Sequence, residues 1–219
     1  MSIRLFRRKH VRVFTFWGWL VMTGLVILVF YTLLVKIGGW LSYQDPLPDA
    51  EVLVVEGFLP DYALQLAAVE FEKGNYKYVV TTGIPFTNGI GFCAYSNFAD
   101  QARAVLIQFG IPAEKVFSAP THEAYRDRTY ASAVALRKWF LDNGKLPASF
   151  NMYSMGAHAA RSSYLYKQAF RDTGVKIGVL NAPDLTLDKK HWWKNSKGFR
   201  TVPVEALGYL FVRLFFKPY

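Results

Sequence analysis

Residues 51–72 read "EVLVVEGFLPDYALQLAAVEFE" and contain two different hydrophobic periods. The first six residues form a short apolar run, which is typical of a strand covered on both faces. After the proline, the apolar residues Leu64, Ala67 and Phe71 recur at helical spacing. The stretch therefore predicts a strand over 51–56, a short turn and a helix over 60–72.

The same alternation of strand and helix continues along the chain. Further strands are predicted over 76–83, 115–119, 149–154 and 175–180, and further helices over 97–110, over 127–142 and from the histidine of "YSMGAHAARSSY" (153–164). Right-handed crossovers between such strands place helices on both faces of a parallel sheet. Residues 51–182 therefore predict an α/β domain, Rossmann-like and doubly wound, with a mainly parallel five-stranded sheet.

An uncharged segment precedes this domain. Residues 13–35, "VFTFWGWLVMTGLVILVFYTLLV", contain no charged side chain. As a helix rising about 1.5 Å per residue, they are long enough for a hydrocarbon core of about 30 Å. A cleaved signal peptide is the alternative, but its apolar region would be shorter, so an uncleaved transmembrane anchor is favoured. Residues 36–50 form a linker that contains prolines.

Positive charge is concentrated at the two ends of the chain. Residues 1–12 carry five basic and no acidic side chains, and 185–219 carry seven basic side chains against two acidic ones. The basic cluster before the apolar span predicts that the N-terminus is cytoplasmic and the body extracytoplasmic. Because the remainder is neutral, the excess favours membrane headgroups over nucleic acid as the partner.

The C-terminal extension, 183–219, contains an apolar helix predicted over 204–216, "VEALGYLFVRLFF". It is too short to span a bilayer. Two interpretations stay open: the helix caps the sheet, or it lies at the bilayer surface with its cations on phosphates.

Cys93 is the single cysteine of the chain, so no intrachain disulfide forms. It lies in a glycine-containing loop with no histidine nearby in sequence. A packed or free loop thiol is favoured over a nucleophile.

Polar residues and glycines follow several of the predicted strands. In an open parallel sheet, the carboxyl ends of the strands gather at one edge, where ligands bind. The residues that fall there are Glu56, Gly57, Thr82, Gly83, Asp127, Arg128, Thr129, Ser154, Gly156, His158 and Arg161. Singly, each has an ordinary structural explanation, such as a helix cap at Asp127. Together they predict a positively lined hollow that binds an anion.

His158 and Arg161 carry most of this prediction. A spacing of three places them on one helical face, near a helix N-terminus that already bears partial positive charge. Further positive side chains at that end favour an anion, with phosphate the natural candidate.

Four short motifs, in this order, resemble those of the ElyC/SanA/YdcF family, a bacterial family of the domain-of-unknown-function kind. They are "VVEG" (54–57), "TTG" (81–83), "DRTYASA" (127–133) and "SMGAHAARSSYLY" (154–166). The resemblance covers roughly 50–182 and implies a Rossmann-like domain behind one inner-membrane helix, with the domain in the periplasm. It also implies a role in envelope biogenesis, including peptidoglycan and lipid-carrier metabolism.

The first functional hypothesis is an enzyme acting on a phosphate-containing envelope intermediate, with a polyprenyl-phosphate-linked sugar as the candidate substrate. Arg128 and Arg161 would clamp the phosphate, His158 would act as general acid or nucleophile, and Glu56 or Asp127 as base or orienting carboxylate. No metal-ligand or cofactor motif is present, so neither is predicted, and protein partners stay open.

The second hypothesis is a non-catalytic lipid-phosphate binder or scaffold that supports the envelope barrier. The absence of a nucleophile elbow and of a P-loop favours it. Nucleic-acid binding rests on the net charge of +10 alone, and the neutral body is evidence against it.

Overall fold

The computed structural model describes residues 11–87, 94–122 and 125–219. Cys93 and most of the predicted cytoplasmic segment 1–12 lie outside the described residues. The chain forms two compact units, of which one ends at Lys36 and the other is Ile37–Tyr219. The second unit contains both the predicted α/β domain and the C-terminal extension.

The first helix, α1, is Phe16–Leu41. It is exposed along its apolar span and is long and apolar enough to cross a membrane, by length and composition. The helix runs six residues past the predicted span, because "KIGGWL" continues its apolar character. Gly38 is required there, since a Cβ at this position would lie 2.4 Å from the carbonyl oxygen of Lys189.

Five strands form one sheet in which every neighbouring pair is parallel. They are β1 (Val52–Glu56), β2 (Tyr78–Gly83), β3 (Val116–Pro120), β4 (Ser149–Met155) and β5 (Lys176–Ala182), in the order β3-β2-β1-β4-β5. The predicted α/β class and the parallel five-stranded sheet are confirmed. The strand order reverses between β1 and β4, and such a switch point opens a crevice at the carboxyl ends of the strands.

Helices cover both faces of the sheet. They are α2 (Asp61–Lys73), α3 (Phe98–Gln108), α4 (Arg128–Asp142), α5 (Ala159–Ala169) and α6 (Ser196–Leu214). Side chains of α2 and α3 share one core with Leu53 and Val55 of β1. Side chains of α4 and α5 share the other core with Val52 and Val54. Alternate residues of one strand thus enter opposite cores, which is why its sequence is apolar throughout.

The C-terminal helix α6 begins eight residues before the predicted helix. Its N-cap is Asn195, whose side chain accepts a hydrogen bond from the Gly198 amide. Gly198 and Pro203 are residues that ordinarily signal a turn, so the pattern hid this first half. The glycine is required because a Cβ would lie 2.2 Å from the carbonyl oxygen of Trp192.

One side of α6 packs on the α4–α5 face of the domain. Val212 joins that core, and the ring of Phe216 lies edge-on to Tyr130 with centroids 4.9 Å apart. Trp40, in the last turn of α1, packs against Tyr209 at the same centroid distance of 4.9 Å. The helix therefore caps the fold, as one of the two open interpretations has it.

Candidate functional site

A cavity of about 550 Å³ lies at the carboxyl edge of the sheet, beneath α6. It draws its walls from β1, β2, α4, α5 and α6, and thus from segments far apart in sequence. The predicted site residues that line it are Glu56, Thr82, Gly83, Asp127, Arg128, Thr129, His158 and Arg161.

Three other predicted site residues do not line the cavity. Gly57 is a close-approach position, where a Cβ would lie 2.4 Å from the carbonyl oxygen of Phe98. Gly156 has a φ of +56°, which favours glycine, and it packs beside Asp184. Ser154 is fully buried and supports a neighbouring carboxylate. Their presence in the motifs therefore has a structural basis.

Glu56 ends β1 as a carboxylate that is only 3% exposed. Ser154 donates a hydrogen bond of 2.5 Å to its Oε2, and Ser162 of α5 donates one of 2.8 Å to its Oε1. A carboxylate held by two hydroxyls is fixed in orientation. On the neighbouring strand, the hydroxyl of Thr82 is 2.8 Å from that of Tyr166. The pKa of Tyr166 is raised by burial and by the charge of Glu56.

Glu205, a residue of α6 that is absent from the predicted site, contacts both His158 and Arg161. Arg161 donates from Nε to Oε2 at 2.8 Å and from Nη2 to Oε1 at 3.2 Å. The His158 Nδ1 lies 3.0 Å from the same Oε1. Burial would raise the pKa of the Glu205 carboxyl, but the hydrogen bonds and charges of His158 and Arg161 lower it to about 2.

His158 faces a donor and an acceptor through the same ring nitrogen. Its Nδ1 is 3.0 Å from a carboxylate oxygen of Glu205 and 3.0 Å from Nη2 of Arg161. A guanidinium only donates and a carboxylate only accepts, so Nδ1 serves one of them. Nη2 carries two N–H groups and can donate to Glu205 and to Nδ1 together, so each tautomer satisfies one of the two Nδ1 contacts. With the proton on Nδ1, the lone pair of Nε2, which has no hydrogen-bond partner among the described residues, is the basic position.

The opposite wall of the cavity is the start of α4. Asp127 precedes the helix with φ +43° and ψ +39°, and its side chain makes no capping hydrogen bond. Within the described ranges, it is the one non-glycine residue at positive φ. Arg128, the first residue of α4, makes no ion pair or hydrogen bond with any described residue. A helix N-terminus without a side-chain cap from Asp127, beside a guanidinium that no described residue pairs, is a favourable site for an anion.

The charge of the lining differs from the positively lined hollow that the sequence predicts. Among the described lining residues, the carboxylates are Glu56, Asp127 and Glu205, and the guanidinium groups are Arg128 and Arg161. The expectation of a positively lined hollow is wrong because the C-terminal extension, 183–219, supplies Glu205 as a third carboxylate. The family resemblance covers only 50–182 and so does not include this residue. A single helix position signalled this: Glu205 is the one acidic residue in the apolar run 204–216.

The remainder of the lining is mostly apolar. Its aromatic and aliphatic side chains are Phe58, Ile84, Phe98, Tyr125, Leu165, Phe211, Val212 and Phe216. The Phe58 ring also contacts the His158 imidazole edge-on, with centroids 5.2 Å apart. Such a wall suits a hydrocarbon chain attached to a polar head.

In the part of the chain that the structure describes, no three His, Cys, Asp or Glu side chains are grouped as a metal site requires. No protein-family model matches the chain, and no curated protein matches its sequence. The resemblance to the ElyC/SanA/YdcF family therefore stays a prediction.

Proposed function

We propose that this chain is a membrane-anchored, extracytoplasmic protein of bacterial envelope biogenesis. Its cavity binds a phosphate-containing, lipid-linked intermediate and hydrolyses or transfers its phosphoester. The observation that carries the proposal is one cavity at the sheet's switch point that combines an arginine without an ion-pair partner among the described residues, an imidazole beside a carboxylate and an apolar wall. The α1 helix and the basic cluster before it support the anchor and its orientation.

The phosphate binds on the α4 wall. Arg128 supplies a guanidinium whose geometry matches two phosphate oxygens, and the first turn of α4 supplies backbone N–H groups and the Thr129 hydroxyl. Arg161 keeps its bond to Glu205 and acts through His158 instead. The proposed phosphate site therefore lies at the start of α4, and not at His158 and Arg161 as the sequence predicts.

His158 performs the proton transfer. With Nδ1–H on Glu205, its Nε2 takes a proton from a water molecule as the water oxygen attacks phosphorus. The phosphorus–oxygen ester bond then breaks, the leaving oxygen takes up a proton from solvent water, and Nε2 returns its proton to solvent. The carboxylate of Glu205 stabilises the imidazolium that forms, and Glu56, held by its two serines, orients the polar end of the cavity.

The energetics favour a lipid-linked ligand over free phosphate. A charge-assisted hydrogen bond contributes about 1.5–3 kcal/mol, and association costs at least about 4 kcal/mol. Two such bonds would leave phosphate alone weakly bound. Burial of about 200 Å² of hydrocarbon on the apolar wall would add roughly 5 kcal/mol at about 25 cal/mol per Å².

A non-catalytic lipid-phosphate binder or scaffold is the second candidate. The observation that favours it is the closed trio of His158, Arg161 and Glu205. In that function the trio does no chemistry and holds α6 over the bound ligand.

Calorimetric titration of the full chain in detergent micelles with farnesyl phosphate tests the binding site. Arg128→Ala is expected to weaken binding at least tenfold, since about 1.4 kcal/mol is a factor of ten. The matched control is Lys138→Ala, which removes an exposed cation of the same helix that pairs with Asp142. Unchanged binding by Arg128→Ala, or equally tight binding of farnesol, would overturn the proposed seat.

Release of inorganic phosphate from farnesyl phosphate and farnesyl diphosphate separates the two candidates. For an enzyme, His158→Gln keeps ligand binding and lowers turnover by about 100-fold or more. Binding of both compounds by the wild-type chain without any release would instead establish the non-catalytic candidate for these substrates.

A further inference from the structure

The outward side of α6 carries an apolar stripe. Its members, each more than half exposed, are Val204, Leu207, Leu210, Phe211, Leu214 and Phe215. Positions 204, 207, 211 and 214 recur at helical spacing, so they share one face. The opposite side of the same helix, with Val202 and Val212, is buried against the domain.

The charges that surround this stripe are positive. The acidic residue of α6, Glu205, points inward to Arg161 and His158. The exposed basic residues on and just after the helix are Lys197, Arg200, Arg213 and Lys217. One of them, Lys197, lies 3.5 Å from Asp184, and Arg213 lies over the ring of Tyr164. An apolar stripe flanked by cations is complementary to an anionic lipid surface.

Helix α6 packs against residues that follow the apolar span closely in sequence. Helix α1 ends at Leu41, which belongs to the compact unit Ile37–Tyr219. There Trp40 packs against Tyr209 of α6, and Gly38 lies against the backbone of Lys189. Trp40 follows the apolar span 13–35 by five residues, and the cations beside the stripe favour an anionic lipid surface over another protein as its occupant.

We propose that α6 is an interfacial helix whose stripe, Val204 to Phe215, is immersed in the headgroup region of an anionic bilayer. Phe211 belongs to the stripe and also lines the cavity. The apolar wall of the cavity is therefore continuous with the immersed face. If the cavity binds a lipid-linked phosphate as proposed, the hydrocarbon chain of the ligand enters along Phe211 directly from the bilayer.

Spin labels on the full chain, reconstituted into vesicles of phosphatidylcholine and phosphatidylglycerol, test the immersion. Labels are placed by Leu207→Cys and, as control, by Leu141→Cys, an exposed leucine of α4, in a Cys93→Ser background. The label at 207 is expected to collide several-fold more often with lipid-dissolved oxygen than with a water-soluble nickel complex, and the label at 141 the reverse. Equal accessibility of the two labels to the nickel complex would overturn the proposal.

A second experiment tests whether the cations hold the stripe on an anionic bilayer and whether another copy of the chain covers it instead. Arg200→Gln with Lys217→Gln is expected to raise the nickel accessibility of the label at 207 in these vesicles, because the cations hold the stripe on the anionic surface. A second copy of the chain could instead cover the stripe. In that case the label at 207 would be equally inaccessible to the nickel complex in micelles and in vesicles, and cysteines at 207 of two copies would crosslink. This result would overturn the proposal.

The failure of this inference is distinguishable from that of the proposed function. Leu207→Glu is expected to abolish immersion and to slow uptake of farnesyl phosphate from vesicles, while its binding in micelles is unchanged. If Arg128→Ala bound farnesyl phosphate in micelles as tightly as the wild-type chain does, the proposed phosphate site would be overturned, and the immersion of α6 would be unaffected. Unchanged uptake by Leu207→Glu would overturn lipid entry along α6.

Discussion

Two walls of the cavity each carry an arginine in the first turn of a helix, and the two arginines differ in whether a described carboxylate binds them. Arg128 opens α4 and Arg161 lies in the first turn of α5, and both line the cavity. Arg161 is bound through two nitrogens by Glu205, whereas Arg128 has no carboxylate partner among the described residues. An arginine at a helix N-terminus therefore indicates a ligand site only where no distant part of the fold supplies its anion.

The carboxylate that neutralises Arg161 comes from the C-terminal helix α6. Gly208, one turn after Glu205, lets α6 approach closely, since a Cβ there would lie 3.1 Å from the Arg161 Cδ. The carboxylate is thereby placed in a site where its side chain is 14% exposed. In such a place, removal of one partner leaves the charges of the others uncompensated.

The largest effect is expected from Glu205→Ala, which leaves Arg161 and His158 without their carboxylate. The free energy of unfolding should fall by about 3 kcal/mol, the cost of breaking a mostly buried ion pair. Urea unfolding of the full chain in micelles measures it. The control is Asp172→Ala, which breaks an ion pair to Arg137 where the Asp172 side chain is 61% exposed, and it should cost less because solvent screens this pair. Equal losses in the two variants would contradict the difference between the sites.

Acid should remove the same stabilisation without any mutation. The pKa of Glu205 is lowered from 4.5 to about 2 in the folded chain. A lowered carboxyl pKa stabilises the fold above the unfolded value and loses its effect as pH falls through the folded value. The contribution, about 3 kcal/mol, is thus full above pH 4.5 and disappears toward pH 2. Unfolding free energies of wild type and Glu205→Gln should converge over this range, and parallel curves would refute the assignment.

The two arginines should differ in stability as well as in binding. Arg161→Ala removes the donors to Glu205 and should cost about 2 kcal/mol of unfolding free energy. Arg128→Ala removes no interaction within the described residues and should change stability by less than about 0.5 kcal/mol. Thermal unfolding of both variants in micelles makes the comparison. A stability loss by Arg128→Ala as large as that by Arg161→Ala would remove the contrast between the walls.

The smallest effect is expected at the start of α4. Asp127→Gly should change stability by less than about 0.5 kcal/mol, because glycine tolerates its positive φ and no capping bond is lost. Asn97→Ala is the matched comparison: Asn97 caps α3 by accepting from the Asp100 amide at 2.8 Å, so its loss should cost about 1 kcal/mol. Chemical denaturation compares them. A larger loss at Asp127 than at Asn97 would show that Asp127 is a cap after all.

The sheet and the helices α2 to α5 could be predicted from sequence because each has its own apolar period and a glycine or proline at its end. Most of the cavity lining could also be predicted, since the carboxyl ends of parallel strands meet at one edge. Glu205 could not, because its bond to Arg161 spans 44 residues and joins two helices whose packing no local pattern encodes. The early start of α6 was hidden for a different reason, namely Pro203 inside the helix.

A crystal structure of the full chain with farnesyl phosphate tests the central claim most directly. The predicted result has the phosphate within hydrogen-bond distance of the Arg128 guanidinium at the start of α4. The hydrocarbon lies on the phenylalanine wall, and Glu205 stays bound to Arg161. A phosphate seated between His158 and Arg161 with Glu205 displaced, or a ligand outside the cavity, would contradict it.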